Sequence, residues 1–303
     1  MARGKVAVFG VPSAAGGRGP GMDRAAFALR EAGLLQALRS GGATVVNLSD
    51  LSLFPFRPDP GHPHGRNADV AACAARATAD EMTRALAEGF TLVIGGDCSI
   101  VAGTVSGARR ALGEPVGLVY LDADADLNTP DTTPSGYLDG MALAATLGFG
   151  PADLASTAGP EPAALPEHVA LLGFRALDPG ERARIAELGL ALPAGAVRKL
   201  GMRAAAALAL DAVENEDGPV AVHLDVDVID PSLFPAKDTL TPGEGLSWEE
   251  TSDLVTGLLA SDRVVALEVT EFNPERDEGG VCARRLVGLL SRAVLRRLRS
   301  ASP

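Results

Sequence analysis

Two short stretches of the chain end in carboxylates at every second position. Leu118-Val119-Tyr120-Leu121 runs into Asp122-Ala123-Asp124-Ala125-Asp126, and Ala221-Val222-His223-Leu224 runs into Asp225-Val226-Asp227. Side chains two apart in an extended segment lie on one side, so Asp122, Asp124 and Asp126 can converge, and so can Asp225 and Asp227. Like charges that close raise one another's pKa unless a cation or protons intervene, and a metal is the simplest neutraliser. A solvated loop start or a helix cap explains one aspartate but not three on one face. Two such strand ends can hold two hard divalent cations between them, with shared aspartates bridging. His223 faces the same way one layer deeper, where a satisfied core histidine, or one that steadies a ligand, is the more ordinary outcome than direct ligation.

A third constellation is Leu92-Val93-Ile94-Gly95-Gly96-Asp97-Cys98-Ser99-Ile100, a strand, a glycine turn and the start of a helix. Glycine lets the backbone approach a neighbour closely. Cys98 then sits near a helix N-terminus, where partial positive charge favours thiolate. The alternatives are a small buried apolar residue, or a nucleophile with His223 as its base.

These strand ends need a sheet to hold them. Apolar runs recur at Val6 to Phe9, Thr44 to Val46, Leu92 to Ile94, Val116 to Leu121, Val169 to Leu172, Val220 to Leu224 and Val264 to Val269. They are predominantly apolar rather than alternating, as in strands buried on both faces. Helical spacing fills 23–40, 68–89, 99–112, 179–189, 201–215, 247–260 and 281–299. Strand-helix alternation predicts an α/β fold, a single three-layer domain over 1–303 with a mainly parallel sheet and helices on both faces. Pro/Gly-rich loops at 10–21, 54–67, 127–137, 148–166 and 231–245 mostly follow strands, where the ligand crevice of such a sheet opens. Segment 148–166 reads as a flexible insertion.

Composition narrows the class. The chain has 303 residues, 47% of them hydrophobic, enough for a large core. A net charge of -12 without a compensating basic patch argues against a nucleic-acid partner. No segment approaches the roughly 20 apolar residues of a membrane span. The N-terminal Met1-Ala2-Arg3-Gly4-Lys5 leads straight into a strand rather than a signal-type apolar region. Three cysteines, Cys73, Cys98 and Cys282, are an odd number at wide spacing, which points to a reducing compartment; the expectation is a cytoplasmic protein. Arginines in Cys282-Ala283-Arg284-Arg285 and Arg296-Arg297-Leu298-Arg299 fit either a subunit interface or a solvated helix face.

The Gly-Gly-Asp-X-Ser turn, the Asp-Ala-X-Ala-Asp strand end and the Asp-Val-Asp-X-X-Asp-Pro strand end, in that order, resemble the three signatures of the arginase, agmatinase and formimidoylglutamase family. The likeness continues in Gly19-Pro20, Leu29-Arg30-Glu31-Ala32-Gly33-Leu34, Asn128-Thr129-Pro130, Ser135-Gly136, Gly173 to Glu181, and Glu271-Phe272-Asn273-Pro274. The resemblance implies an arginase-like fold and a site in which two divalent ions, Mn²⁺ first, activate a bridging hydroxide against the central carbon of a guanidinium, amidine or ureido group. Carried over, Cys98, Asp122, Asp126 and Asp225 surround one metal, and Asp122, Asp124, Asp225 and Asp227 the other. Asp126, Asp139 and Glu271 take catalytic positions, and Glu271 is also the natural bidentate partner of a planar cation. Asn128, Ser135 and Asp178 hold the far end of the substrate, with Tyr137 beside them. The resemblance also implies a homo-oligomer, a trimer or hexamer.

Three positions where the family usually supplies histidine are here Cys98, Asp124 and Asp139, and Tyr137 replaces the usual asparagine. Five aspartates and a thiolate set six negative charges against the four positive charges of two divalent ions. Either one carboxyl stays protonated, or the metals are held differently, or only one is held. The soft sulfur of Cys98 also admits Fe²⁺ or Zn²⁺. Three readings follow: a divergent metal-dependent hydrolase of a linear amidine, guanidine or ureido C–N bond, a thiol-dependent guanidine-modifying enzyme using Cys98, and a catalytically silent subunit.

Overall fold

Eight short strands pair in parallel into one sheet in the computed structural model, which describes residues 4–213 and 218–300. They are β1 (Lys5–Gly10), β2 (Thr44–Asn47), β3 (Phe90–Ile94), β4 (Gly117–Leu121), β5 (Val169–Leu172), β6 (Leu190–Leu192), β7 (Val220–Asp225) and β8 (Val264–Thr270), in the spatial order β2-β1-β3-β8-β7-β4-β5-β6. Every residue of β3, β4, β5, β7 and β8 is buried, as strands covered on both faces require, and the few polar side chains among them, such as His223 and Glu268, are buried with the rest. The edge strands β2 and β6 are partly exposed.

Ten helices flank the sheet among the described residues: α1 (Ala25–Glu31), α2 (Leu34–Ser40), α3 (Ala68–Glu88), α4 (Val101–Leu112), α5 (Ala142–Thr146), α6 (Ala152–Ala155), α7 (Ala194–Leu200), α8 (Met202–Ala212), α9 (Trp248–Leu258) and α10 (Val281–Ser300). Apolar side chains of α1, α2, α7, α8, α9 and α10 form the core on one face, and those of α3, α4 and α5 the core on the other. The result is a single three-layer α/β domain, as expected.

Several local expectations need correction. The helix expected over 23–40 is two helices, because Gly33 takes a φ of 93° and breaks it. The stretch 179–189 forms only a 3-10 turn, Arg184–Glu187, before a strand too short and too exposed to leave an apolar signal. The helix expected over 201–215 ends at Ala212, and 214–217 lie outside the described residues. Segment 148–166 is no loose insertion, since Leu154, Ala163 and Ala164 are buried and α6 packs on α3. Two of the α10 arginines serve the fold, since Arg297 is buried and donates to the carbonyl oxygens of Val264 and Asp262, and Arg285 lies over the Trp248 ring, while Arg284, Arg296 and Arg299 are exposed as on a solvated helix face.

The topology decides where chemistry can occur. From β3 the chain crosses over β8 and β7 to β4, so β3, β8, β7 and β4 lie side by side with their carboxyl ends on one edge. That reversal of direction opens a crevice beyond the strand ends.

Candidate active site

A cavity of about 280 Å³ fills that crevice. It is lined by Asp122, Asp124 and Asp126 after β4, Asp225 and Asp227 at β7, and Glu271 after β8, together with Asp139, Asp178 and Glu181. Against these nine carboxyl groups, Arg18 is the only basic side chain among the described residues of the wall.

Backbone geometry aims the acids inward. Asp126 and Glu271 are held at φ 52° and 64°, in the left-handed region that non-glycine residues seldom occupy and that clusters at functional sites. Asp122 Oδ1 accepts from the Asp124 N–H at 2.7 Å, Asp225 Oδ1 from the Asp227 N–H at 2.6 Å, and Asp227 Oδ1 from the Ala123 N–H at 3.0 Å. Thr241 donates to Asp124 Oδ2 at 2.7 Å, and Tyr120 to Asp126 Oδ2 at 2.6 Å. One oxygen is left over: Asp122 Oδ2 is buried and has no partner. A buried carboxylate oxygen without a donor is costly, and a cation between the strand ends would relieve it.

The titration of these groups points the same way. Burial, then the repulsion of Asp126 and Asp225, pushes the Asp122 carboxyl well above its ordinary range. Burial and Asp227 do the same to Asp225. Asp126 is raised by burial in spite of the Tyr120 hydrogen bond. Asp124, less enclosed, is raised to about 6 by burial and Asp227. Asp139 and Glu181 are each raised to about 7, chiefly by burial. The acids cannot all ionise together without added positive charge. Two carboxylate groups fit a divalent ion: Asp122, Asp124 and Asp227 bring ligand oxygens within 4.8 Å of one another, and so do Asp139, Asp238 and Glu271.

Cys98 lies behind this wall rather than on it. The turn that carries it needs glycine, because a Cβ at Gly96 would stand 1.6 Å from the Ser13 carbonyl oxygen. Its Sγ is 3.1 Å from Asp225 Oδ2 and 3.2 Å from Thr270 Oγ1, and its N–H donates to Glu271 Oε1 at 3.2 Å. Burial and then Asp225 push its thiol well up, the reverse of the thiolate that a helix N-terminus alone suggests.

At the mouth, Asn128 Nδ2 donates to Asp178 Oδ2 at 2.9 Å, and Ser135 lines the wall. Tyr137 stands apart from the cavity lining, its ring flanked by the guanidinium groups of Arg18 at 5.5 Å and Arg66 at 5.1 Å. It therefore reaches the cavity through Arg18. Sequence patterns assigned no role to Arg18, Thr241 or Glu181, whose contacts come from loops far away in the chain. Glu181 accepts from the N–H groups of Leu127 and Asp178 and so fixes both flanks of the mouth.

Residues 4–295 match the model of the arginase family. The chain is 34% identical to the arginase of Bacillus caldovelox, over 94% of this chain and 96% of that enzyme.

The chain belongs to the arginase family.

Solved arginases superpose on it closely. The Bacillus subtilis structure gives a TM-score of 0.86 at 32% identity, covering 96% of this chain and 98% of that one. The Entamoeba histolytica arginase in complex with L-ornithine gives 0.87 at 26% identity, covering 97% and 99%. As a member of the family the chain is a metal-dependent ureohydrolase, a hydrolase of guanidino C–N bonds in linear amidines. No helix among its described residues is long and apolar enough to cross a membrane.

Proposed function

We propose that the chain hydrolyses a guanidino or amidino acid, with a dinuclear metal site held by Asp122, Asp124, Asp126, Asp225 and Asp227 and by Cys98 from behind. The observation that carries this reading is the unpartnered Asp122 Oδ2, buried where the carboxylates of two strands converge. The oxygen-rich set suits Mn²⁺, and Cys98 extends the choice to Fe²⁺ or Zn²⁺. Held by these residues, divalent ions would supply Lewis acidity and would lower the pKa of nearby water toward neutrality.

The chain's own residues do the rest. Glu271 Oε1 is engaged by the Cys98 N–H, so its second oxygen is available to a guanidinium. The acidic wall favours a cationic head group over a neutral ureido one. Arg18, at the mouth, offers a partner for a carboxylate on the far end, beside Asn128 and Ser135. Asp139, with its carboxyl at about 7, can hold and release a proton at neutral pH, which the departing amine requires. Assembly as a trimer or hexamer belongs to the same proposal and is readable by light scattering.

A screen of guanidino and amidino acids for urea or ammonia release, with and without added Mn²⁺, tests the reading. Metal-stimulated release supports it. A fully metallated protein that turns over none of them overturns the guanidino- or amidino-acid substrate class. The thiol-nucleophile reading is weakened by the position of Cys98 behind Asp225.

A further inference from the structure

Three different donor atoms meet beneath the cavity floor. The Sγ of Cys98, a carboxylate oxygen of Asp122 and a ring nitrogen of His223 lie within 4.8 Å of one another, all three residues being buried. The free Asp122 oxygen is Oδ2, since Oδ1 already accepts from the Asp124 N–H.

The imidazole is oriented for this. His223 pairs across the sheet with Glu268 in β8 and with Tyr120 in β4. Its Nδ1 stands 2.7 Å from Glu268 Oε1, and the Thr104 hydroxyl occupies the other Glu268 oxygen. An acceptor carboxylate at Nδ1 holds that side of the ring, so Nε2 is the nitrogen that would face a cation. The ring is stacked on Tyr120 at 4.1 Å and 10°. Nε2 has only a 3.4 Å approach to Thr270 Oγ1, the same hydroxyl that lies 3.2 Å from Cys98 Sγ. A carboxylate holding one imidazole nitrogen while the other faces a cation is a recurrent arrangement around protein-bound metals.

We propose that Cys98, Asp122 and His223 form a sulfur, oxygen and nitrogen half of the metal centre, chemically distinct from the all-oxygen half made by Asp122, Asp124 and Asp227. This rests on the metal-dependent reading above and adds to it a ligand, His223, and a selectivity. Zinc bond lengths of about 2.0 to 2.3 Å place tetrahedral ligands about 3.5 Å apart, within reach of the observed cluster by small side-chain shifts. Asp225 Oδ2, 3.1 Å from the sulfur, would add a further oxygen donor. An imidazole ligand adds a donor without adding negative charge to an overcrowded set of carboxylates. The buried half therefore selects Zn²⁺, Fe²⁺ or Co²⁺, and the cavity half Mn²⁺ or Mg²⁺.

Titration of the metal-free full chain with Co²⁺, followed by absorption, tests this without reference to activity. The expected result is a near-ultraviolet thiolate-to-cobalt charge-transfer band with intense visible bands of a four-coordinate ion. Cys98→Ser should remove the charge-transfer band, and His223→Gln should weaken Co²⁺ binding in the buried half at least about tenfold. X-ray absorption of the zinc-loaded unmutated protein guards against variants that fail to fold, since it should show one sulfur scatterer at about 2.3 Å with nitrogen and oxygen nearer 2.0 Å. Cobalt bound without a thiolate band, or zinc without sulfur, or affinity unchanged in folded His223→Gln, overturns this inference and leaves the hydrolase reading intact. A chain that binds no Co²⁺, Zn²⁺ or Mn²⁺ at all overturns both.

Discussion

The phenol of Tyr120 donates a 2.6 Å hydrogen bond to Asp126, and both residues are buried. Tyr120 also carries the His223 ring on its face, so one aromatic side chain steadies two polar groups of the site. Tyr120→Phe keeps the stack and removes the bond. It should cost about 1 kcal/mol of stability, the usual net worth of a buried hydrogen bond, and lower turnover by misplacing Asp126. Denaturant unfolding of the metal-free and metal-loaded forms checks this; unchanged stability in both would show that the bond contributes nothing.

Thr241 bonds Asp124 and reaches Asp227 Oδ2 at 3.5 Å, although it comes from a loop with no metal-site motif. Thr241→Val conserves its shape and loses the hydroxyl. Metal affinity should fall about 10- to 100-fold, as on removal of other groups that orient ligands. Calorimetric titration with Mn²⁺ reads the change directly, and equal affinities would refute a positioning role.

The raised carboxyls give the metal-free protein a particular pH dependence. Asp124 at about 6 and Asp139 and Glu181 at about 7 bind protons in the folded state at pH values where the unfolded chain has released them. Stability from these groups is fully present below the unfolded carboxylate range near 4 and is lost as pH rises through 6 to 7. In chelator, Tm should fall between pH 5 and pH 8. Divalent metal should restore it most at the upper end, because binding displaces protons. A chelated protein whose Tm rises over that interval would contradict the burial of these acids.

Gly96 passes so close to Ser13 that no side chain fits. Gly96→Ala should destabilise the fold by roughly 1 to 3 kcal/mol through backbone displacement and should shift Cys98, two residues on. Thermal melts and the reaction rate of Cys98 with a thiol reagent report the two effects; a melt like that of the unsubstituted chain would show the turn to be pliable.

Much of this was legible from residue types. The unbroken apolar runs gave the buried parallel strands, and alternate aspartates after them gave a convergent acidic site, because a strand has only two faces. What escaped depended on tertiary partners. Leu190–Leu192 is too short and too exposed to read as a strand without β5 beside it. Gly33 splits a helix that spacing alone continues. Thr241, Arg18 and Glu181 act through loop positions that carry no period, and Tyr137 is set off the cavity by two arginines distant in sequence. The thiol of Cys98 is governed by burial and Asp225, neither visible from the helix start that follows it.

Metal content tests the central claim most directly. Protein purified without chelator and reconstituted with Mn²⁺ and Zn²⁺ together should hold about two ions per chain by elemental analysis, and folded Asp122→Asn, which alters the aspartate common to both halves, should lose most of them together with turnover. A reconstituted chain that holds no metal, or one whose turnover is untouched by chelator, would contradict the account.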